Sequence, residues 1–234
     1  MNHDSAGLLE FYASPIGQVA RLVIQRRLRD LWPDTQGSRV LGYGFAVPYL
    51  RSLAADAEFA VALVPEQLGL WPIDSCPSVV AQEDALPFAD AMFDRVLVIH
   101  GLESAESLRP LLRQLWRVLA PSGKLLLVAP NRTSLWAQVE RSPFAHGRPF
   151  NRAQLGSLLR DTLYVAERWE CALLMPPLKS RRLLGRGVSW EKIGRRIWPA
   201  LAGVHIVEAT KSMYALAPPL KVKQEQRVFA SARG

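Results

Sequence analysis

The chain has 234 residues, 49% of them hydrophobic and 21% charged, which is enough apolar material for one full core. No apolar run approaches the roughly 18–20 residues of a membrane span, and the opening MNHDSAGLLEFYASP carries two acids and no basic stretch, so no secretory leader is expected. The formal charge of +8 is uneven: residues 176–234 hold twelve Lys or Arg against three acids, while residues 1–175 sum to −1. That asymmetry suits an anionic partner such as a lipid surface or nucleic acid, and equally a solvated face with a mobile tail. Cys76 and Cys171 cannot make a zinc site by themselves. They are expected as free buried thiols in a cytoplasmic protein.

In chain order, residues 6–32 predict a helix, with Pro15 in a first turn and Ile16, Val19, Leu22, Val23, Leu28 and Leu31 at helical spacing. Val40-Leu41 begins a short buried strand ending in Gly42-Tyr43-Gly44, followed by a helix through Pro48-Tyr49-Leu50 to about Ala55. Phe59 to Val64 and Val79 to Ala81 read as the next strands, and Arg95 to Ile99 as the fourth. Residues 105–120 predict a helix with Leu108, Leu111, Leu112, Leu115 and Leu119 on one face, Ser104 as its N-cap and Gly123 marking its exit. A fifth strand runs Leu125 to Val128, and 131–152 is a polar-aromatic connection. A helix over 153–160, a strand within 164–174, a basic Trp-containing helix near 189–202 and a last strand within 205–215 complete the pattern. The segment from Pro218 onward has little core-forming material and is expected to be mobile.

The most informative stretch is residues 82–131, QEDALPFADAMFDRVLVIHGLESAESLRPLLRQLWRVLAPSGKLLLVAPN. It is a strand–helix–strand unit with short connections, as in parallel sheets covered on both faces. The order and spacing resemble class I S-adenosylmethionine-dependent methyltransferases over roughly residues 38–215, in the broad small-molecule group that includes quinone-biosynthesis enzymes. The resemblance implies an α/β fold with a Rossmann-like, seven-stranded, mostly parallel sheet whose last strand is antiparallel, and helices on both faces. It implies one domain over 1–217, with an N-terminal helical segment at 1–37, cleft-covering insertions at 131–152 and 176–203, and a basic tail at 218–234. It further implies S-adenosylmethionine as cofactor and a small-molecule methyl acceptor.

The resemblance also points to site residues, with departures. The family's first strand ends in an acid and runs into G-x-G-x-G, bringing a helix N-terminus up to the donor. Here Gly42 stands at the acid position and Gly44, Ala46 and Pro48 at the glycine positions. Gly42, Tyr43, Gly44 and Ala46 are thus expected beside the cofactor, or the glycines serve only the backbone of a strand-to-helix turn. At the second strand Ala62 or Val64 stands in place of the ribose-binding acid, which leaves Pro65 and Glu66 or Gln67 to reach the ribose, or Glu66 as an ordinary exposed acid opening a helix N-terminus. Gln82, Glu83, Asp84 and Ala85 stand where the adenine contacts fall.

His100, followed by Glu103, ends the fourth strand at the edge that forms the ligand crevice of open α/β sheets. It is a candidate general base, a contact for the methionine moiety, or a structural histidine bonded to a neighbouring carbonyl. The loop SPFAHGRPF, residues 142–150, adds His146 and Arg148 as further catalytic candidates, suited to a planar or anionic substrate or to a lid packed on its own phenylalanines. Residues 190–201, WEKIGRRIWPAL, are amphipathic and fit a helix covering the sheet or one lying on a membrane surface. Direct methyl transfer is the first reading. A non-catalytic methyltransferase-like protein using its basic end as a binding surface is the second.

Overall fold

The computed structural model describes residues 5–68, 76–139, 142–177, 191, 194 and 198–212. The seven strands are β1 (Arg39–Gly44), β2 (Phe59–Pro65), β3 (Ser78–Ala81), β4 (Phe93–Ile99), β5 (Leu119–Pro130), β6 (Tyr164–Ala172) and β7 (Val204–Lys211). They form one sheet in the order β3-β2-β1-β4-β5-β7-β6. All pairings are parallel except those of β7, which runs antiparallel to both β5 and β6. The chain moves outward from β1 to β3, then returns to lay β4 on the other side of β1. That reversal opens a crevice between the carboxyl ends of β1 and β4, where open α/β sheets bind ligands.

The central strands are continuous apolar runs because both faces are covered. One face packs α2 (Pro15–Leu31) and α3 (Val47–Leu53) against Val40, Ala62, Leu97 and Leu126. The other packs α4 (Leu108–Val118) and α5 (Arg152–Asp161) against Leu41, Leu63, Val96 and Leu125. Gly42 lies on the first face, and a Cβ there would come within 2.5 Å of Leu50 Cδ1 and 2.8 Å of Ala46 Cβ, so its hydrogen lets α3 close onto β1.

Several expected boundaries move. The helix expected over 6–32 is two helices, α1 (Ser5–Ala13) and α2, with the break at Ser14, whose hydroxyl accepts from Gly17 N at 3.1 Å. Pro15 at the first position of α2 has no N–H to lose, but it cannot continue α1. Ser104 is not the cap of α4. The helix begins after Ser107, which makes no side-chain cap bond, and Glu83 from the β3–β4 connection accepts from Glu106 N at 3.0 Å instead. Gly123 is not a helix exit either, because β5 starts at Leu119, pairs with Phe93 and resumes parallel pairing after an irregularity.

Asn151 caps α5 in a full capping box with Gln154. Neither cysteine is in a disulfide, and both are half-buried rather than fully enclosed. Half of the basic helix expected near 189–202 lies outside the described residues, its described end being a 3-10 turn at Pro199–Leu201, and the whole segment from 218 onward lies outside them. Among the described residues no helix is long and apolar enough to cross a membrane.

Candidate functional site

Two left-handed residues face each other where β1 and β4 end. Gly44 has φ +77°, a conformation that glycine adopts without a Cβ penalty. A side chain there would meet Ile99 O at 2.4 Å and the Gly101 backbone at 2.9 Å. Across the crevice His100 has φ +50°, uncommon for a non-glycine residue and a source of strain held by its surroundings. Phe45 N donates to Ile99 O at 2.7 Å, locking the two strand ends together.

This backbone turns the His100 ring into a sealed polar chain. His100 Nδ1 lies 2.8 Å from Glu103 Oε1, and its Nε2 lies 2.7 Å from the Tyr12 hydroxyl. The Tyr49 hydroxyl in turn donates to Tyr12 at 3.1 Å. The side chains of His100 and Glu103 are 1% and 0% exposed. An ionised carboxylate only accepts, so Nδ1 carries the hydrogen towards Glu103. In the neutral ring Nε2 is then a bare acceptor, and Tyr12 donates to it. Burial pushes the phenols of Tyr12 and Tyr49 above their ordinary value, which keeps both as hydroxyl donors. Glu103 Oε2 is buried with no hydrogen-bond partner among the described residues.

Aromatic rings enclose the chain. The Tyr12 ring stacks on Phe45, 5.1 Å between centroids and 14° between planes. Phe144 lies 5.1 Å from His100, and Trp136 and Phe11 pack on Phe144 at 5.5 and 6.0 Å. Phe11 and Tyr12 come from α1, so the roof of the crevice is the N-terminal helix. Gly17 allows this, since a Cβ there would fall 1.9 Å from Phe11 O.

The expected site residues separate into two groups. Gly44, Ala46 and His100 converge on the crevice, Ala46 standing buried at the start of α3. Tyr43 points to the other face, fully buried against Gly101, with its hydroxyl unpartnered among the described residues and its phenol pushed upward by burial. Pro65 ends β2 and is buried, while Glu66, Gln82, Asp84 and Ala85 are exposed at the ends of β2 and β3. Glu83 is buried and committed to the N-terminus of α4. Burial pushes its carboxyl up, and the backbone donors of Ser107 and Glu106 oppose that shift.

His146 is half-buried, and Arg148 exposes its side chain while its backbone N–H donates to Glu103 O at 3.0 Å. Phe144 and this main-chain bond bring the 142–150 loop to the crevice. Sequence reasoning missed Tyr12, Tyr49 and Phe45. Tyr12 lies 88 residues from the histidine it bonds, and no local pattern reports such a pairing.

Residues 41–127 match the family model described as a methyltransferase domain. A 56-residue segment is 39% identical to the ubiquinone/menaquinone biosynthesis C-methyltransferase UbiE of Pectobacterium carotovorum, covering 24% of this chain and 22% of that protein. The chain thus spans 22% of the length of that curated relative. A methyltransferase from Thermotoga maritima superposes with a TM-score of 0.62 at 18% identity, covering 86% of this chain and 93% of that one. A chain from the Haloferax volcanii complex of a methyltransferase with its Trm112 activator gives 0.61 at 14% identity, covering 88% and 97%. The fold is that of class I S-adenosylmethionine-dependent methyltransferases, and the matched segment runs from β1 into β5.

The cofactor of that family meets a mixed reception. Exposed Glu66, Gln82 and Asp84 at the ends of β2 and β3 fit its nucleoside half. The methionine half would lie by Gly44 and Phe45, where the protein's own Tyr12 ring now stacks. Gly42 offers no carboxylate there, and the Tyr12 ring fills the space beside Phe45, so His100 and backbone groups are the polar groups left at the crevice.

Proposed function

We infer that the chain is a S-adenosylmethionine-dependent methyltransferase acting on a small-molecule acceptor, with its donor site at the β1–β4 crevice and α1 as the cover. The observation that carries this reading is the buried Glu103–His100–Tyr12–Tyr49 chain at that crevice. A sealed, left-handed histidine paired with a carboxylate costs stability and is of little use to a sheet edge that backbone bonds already hold. When bound, the donor supplies an electrophilic methyl group on a sulfonium sulfur. The chain's own work is to hold the reactants in line and exclude water, which accounts for much of the acceleration in a direct displacement. Gly44 to Ala46 would line the methionine side, and Glu66, Gln82 and Asp84 the ribose and adenine side.

The second reading, a non-catalytic binding protein, draws support from Gly42, Ala62 or Val64, and Gln82 at the three positions where the resemblance expects acids. Calorimetric titration with S-adenosylmethionine and its demethylated product separates the two. The methyltransferase reading expects saturable binding of both, abolished by Gly44→Val, whose side chain would collide with Ile99 O. No heat at millimolar ligand would favour the second reading. The positive excess of residues 176–234 supports an anionic partner, tested by salt-sensitive binding to anionic vesicles. A cytoplasmic location is in keeping with two cysteines that form no disulfide.

A further inference from the structure

We propose that the cap formed by residues 131–139 and 198–203 is a docking face for an anionic lipid surface. Leu135, Val139, Trp198 and Leu201 enter the headgroup region, and the cations around them hold acidic headgroups. The proposal deepens the methyltransferase reading by naming the partner that meets its crevice, and it rests on that reading only for what docking serves.

Asn131, just past β5, stitches the two segments together. Its side-chain amide donates to Ala200 O at 2.9 Å and to Ala202 O at 2.8 Å, and its backbone N–H donates to Gly203 O at 2.9 Å. The Thr133 hydroxyl adds a bond to Ala200 O at 3.0 Å. A Cβ on Gly203 would lie 2.9 Å from Trp136 Cδ1, so the segments pack closely. Trp136 itself turns inward onto Phe144, which lies beside His100 at the crevice. Its neighbours turn outward: Leu135, Val139, Trp198 and Leu201 are each between 38% and 48% exposed. Nine large hydrophobics are exposed among the described residues, and these four fall within two short, adjoining segments. Scattered exposed leucines are ordinary, whereas a concentration that includes an indole marks a surface that meets something apolar.

Charge decides the occupant. Residues 131–150 hold Arg132, Arg141 and Arg148 against Glu140, and residues 198–203 hold no charged group. Arg132 and Arg148 are exposed, and the Arg132 N–H donates to Phe150 O at 3.1 Å, which brings the two loops side by side. In sequence, residues 178–197 run directly into Trp198 with seven Lys or Arg and one acid, Glu191. Glu191 is buried and accepts from Leu174 N at 2.6 Å, so its carboxylate is withdrawn from the face. An apolar tip with an indole, flanked by cations, suits the boundary of an anionic bilayer, where apolar side chains enter the acyl edge and Lys and Arg meet headgroups. A nucleic acid would use the cations and leave Leu135, Val139 and Leu201 in water.

The test needs no donor. The full chain is sedimented with vesicles of phosphatidylcholine alone, and with vesicles of which about a third is phosphatidylglycerol. At low salt the anionic vesicles should bind at least about tenfold more protein, and that preference should collapse at about 0.5 M salt. Replacing Trp198→Ala together with Leu201→Ala should weaken anionic binding about tenfold, because apolar burial at the interface is lost. Arg132→Glu with Arg148→Glu should weaken it severalfold at low salt and leave it unchanged at high salt. Val165→Ala is the control: Val165 is also exposed, but it pairs with Thr210, at the end of β7 remote from the cap, and should leave binding as in the wild type.

Absence of sedimentation with either vesicle, equal binding to both, or anionic binding that the Trp198 and Leu201 replacements leave unchanged would overturn the proposal. The last result, together with salt-sensitive binding of a duplex oligonucleotide, would assign the cations to nucleic acid instead. Vesicle binding through the cap with no heat from S-adenosylmethionine would remove the methyltransferase reading and leave the docking face. Cofactor binding without vesicle binding would do the reverse.

Discussion

At the scale of single residues, stability and function compete most visibly at His100. Its left-handed backbone and buried carboxylate partner both cost free energy, and the Tyr12 hydroxyl recovers part of that cost by satisfying Nε2. Tyr12→Phe should therefore destabilise the protein by about 1–3 kcal/mol, the price of leaving a buried acceptor unmet, read from urea unfolding. An unchanged midpoint would mean that water reaches the ring.

A different carboxylate gives a pH-dependent prediction. Asp94 takes two bonds from the Arg39 guanidinium, at 2.9 and 3.0 Å, and one from its backbone N–H, which hold its carboxyl below the usual range. Its contribution is fully present above the unfolded value and is lost as pH falls through the lowered folded one. Because the pair is about a third exposed, Asp94→Asn should cost under about 1 kcal/mol at pH 7. The gap between variant and wild type should close as pH is lowered below about 4. A gap independent of pH would assign the loss to packing. Residues at strand ends were legible in the sequence, because an apolar run that stops at Gly44 or His100 marks its own boundary. Their partners were not: Tyr12, Tyr49 and Phe45 meet His100 only through the tertiary fold.

Elements follow the same division. Strands β1 to β5 could be read because buried parallel strands are unbroken apolar runs, and α4 because its leucines recur at helical spacing. The break at Ser14 was less visible, since a proline reads equally well as a first-turn residue of one long helix. Glu83 capping α4 from another connection could not be read at all, because a local search for caps finds only nearby serines.

The hinge makes α1 testable as a unit. Gly17→Val would drive a side chain into Phe11 O and push α1 off the crevice. Melting temperature should fall while apparent affinity for the demethylated cofactor rises severalfold, because closure no longer competes with binding. A fall in both would show that α1 builds the site rather than covering it. At α5, Asn151→Ala removes one half of a capping box and should cost about 1 kcal/mol by chemical denaturation, with ligand binding unaltered.

On the scale of the whole molecule, the sheet order places a topological reversal between β1 and β4, and the chain fills that crevice with its own aromatic rings. The central claim is that the donor site and the α1 contact surface are the same place. Hydrogen exchange of the full chain, with and without saturating demethylated cofactor, tests it most directly. Binding should speed exchange of the α1 amides, residues 5–13, and slow those of residues 42–46 at the end of β1. Protection of 42–46 with α1 exchange unchanged or slowed would contradict the claim, as would a bound cofactor that leaves both segments as they were.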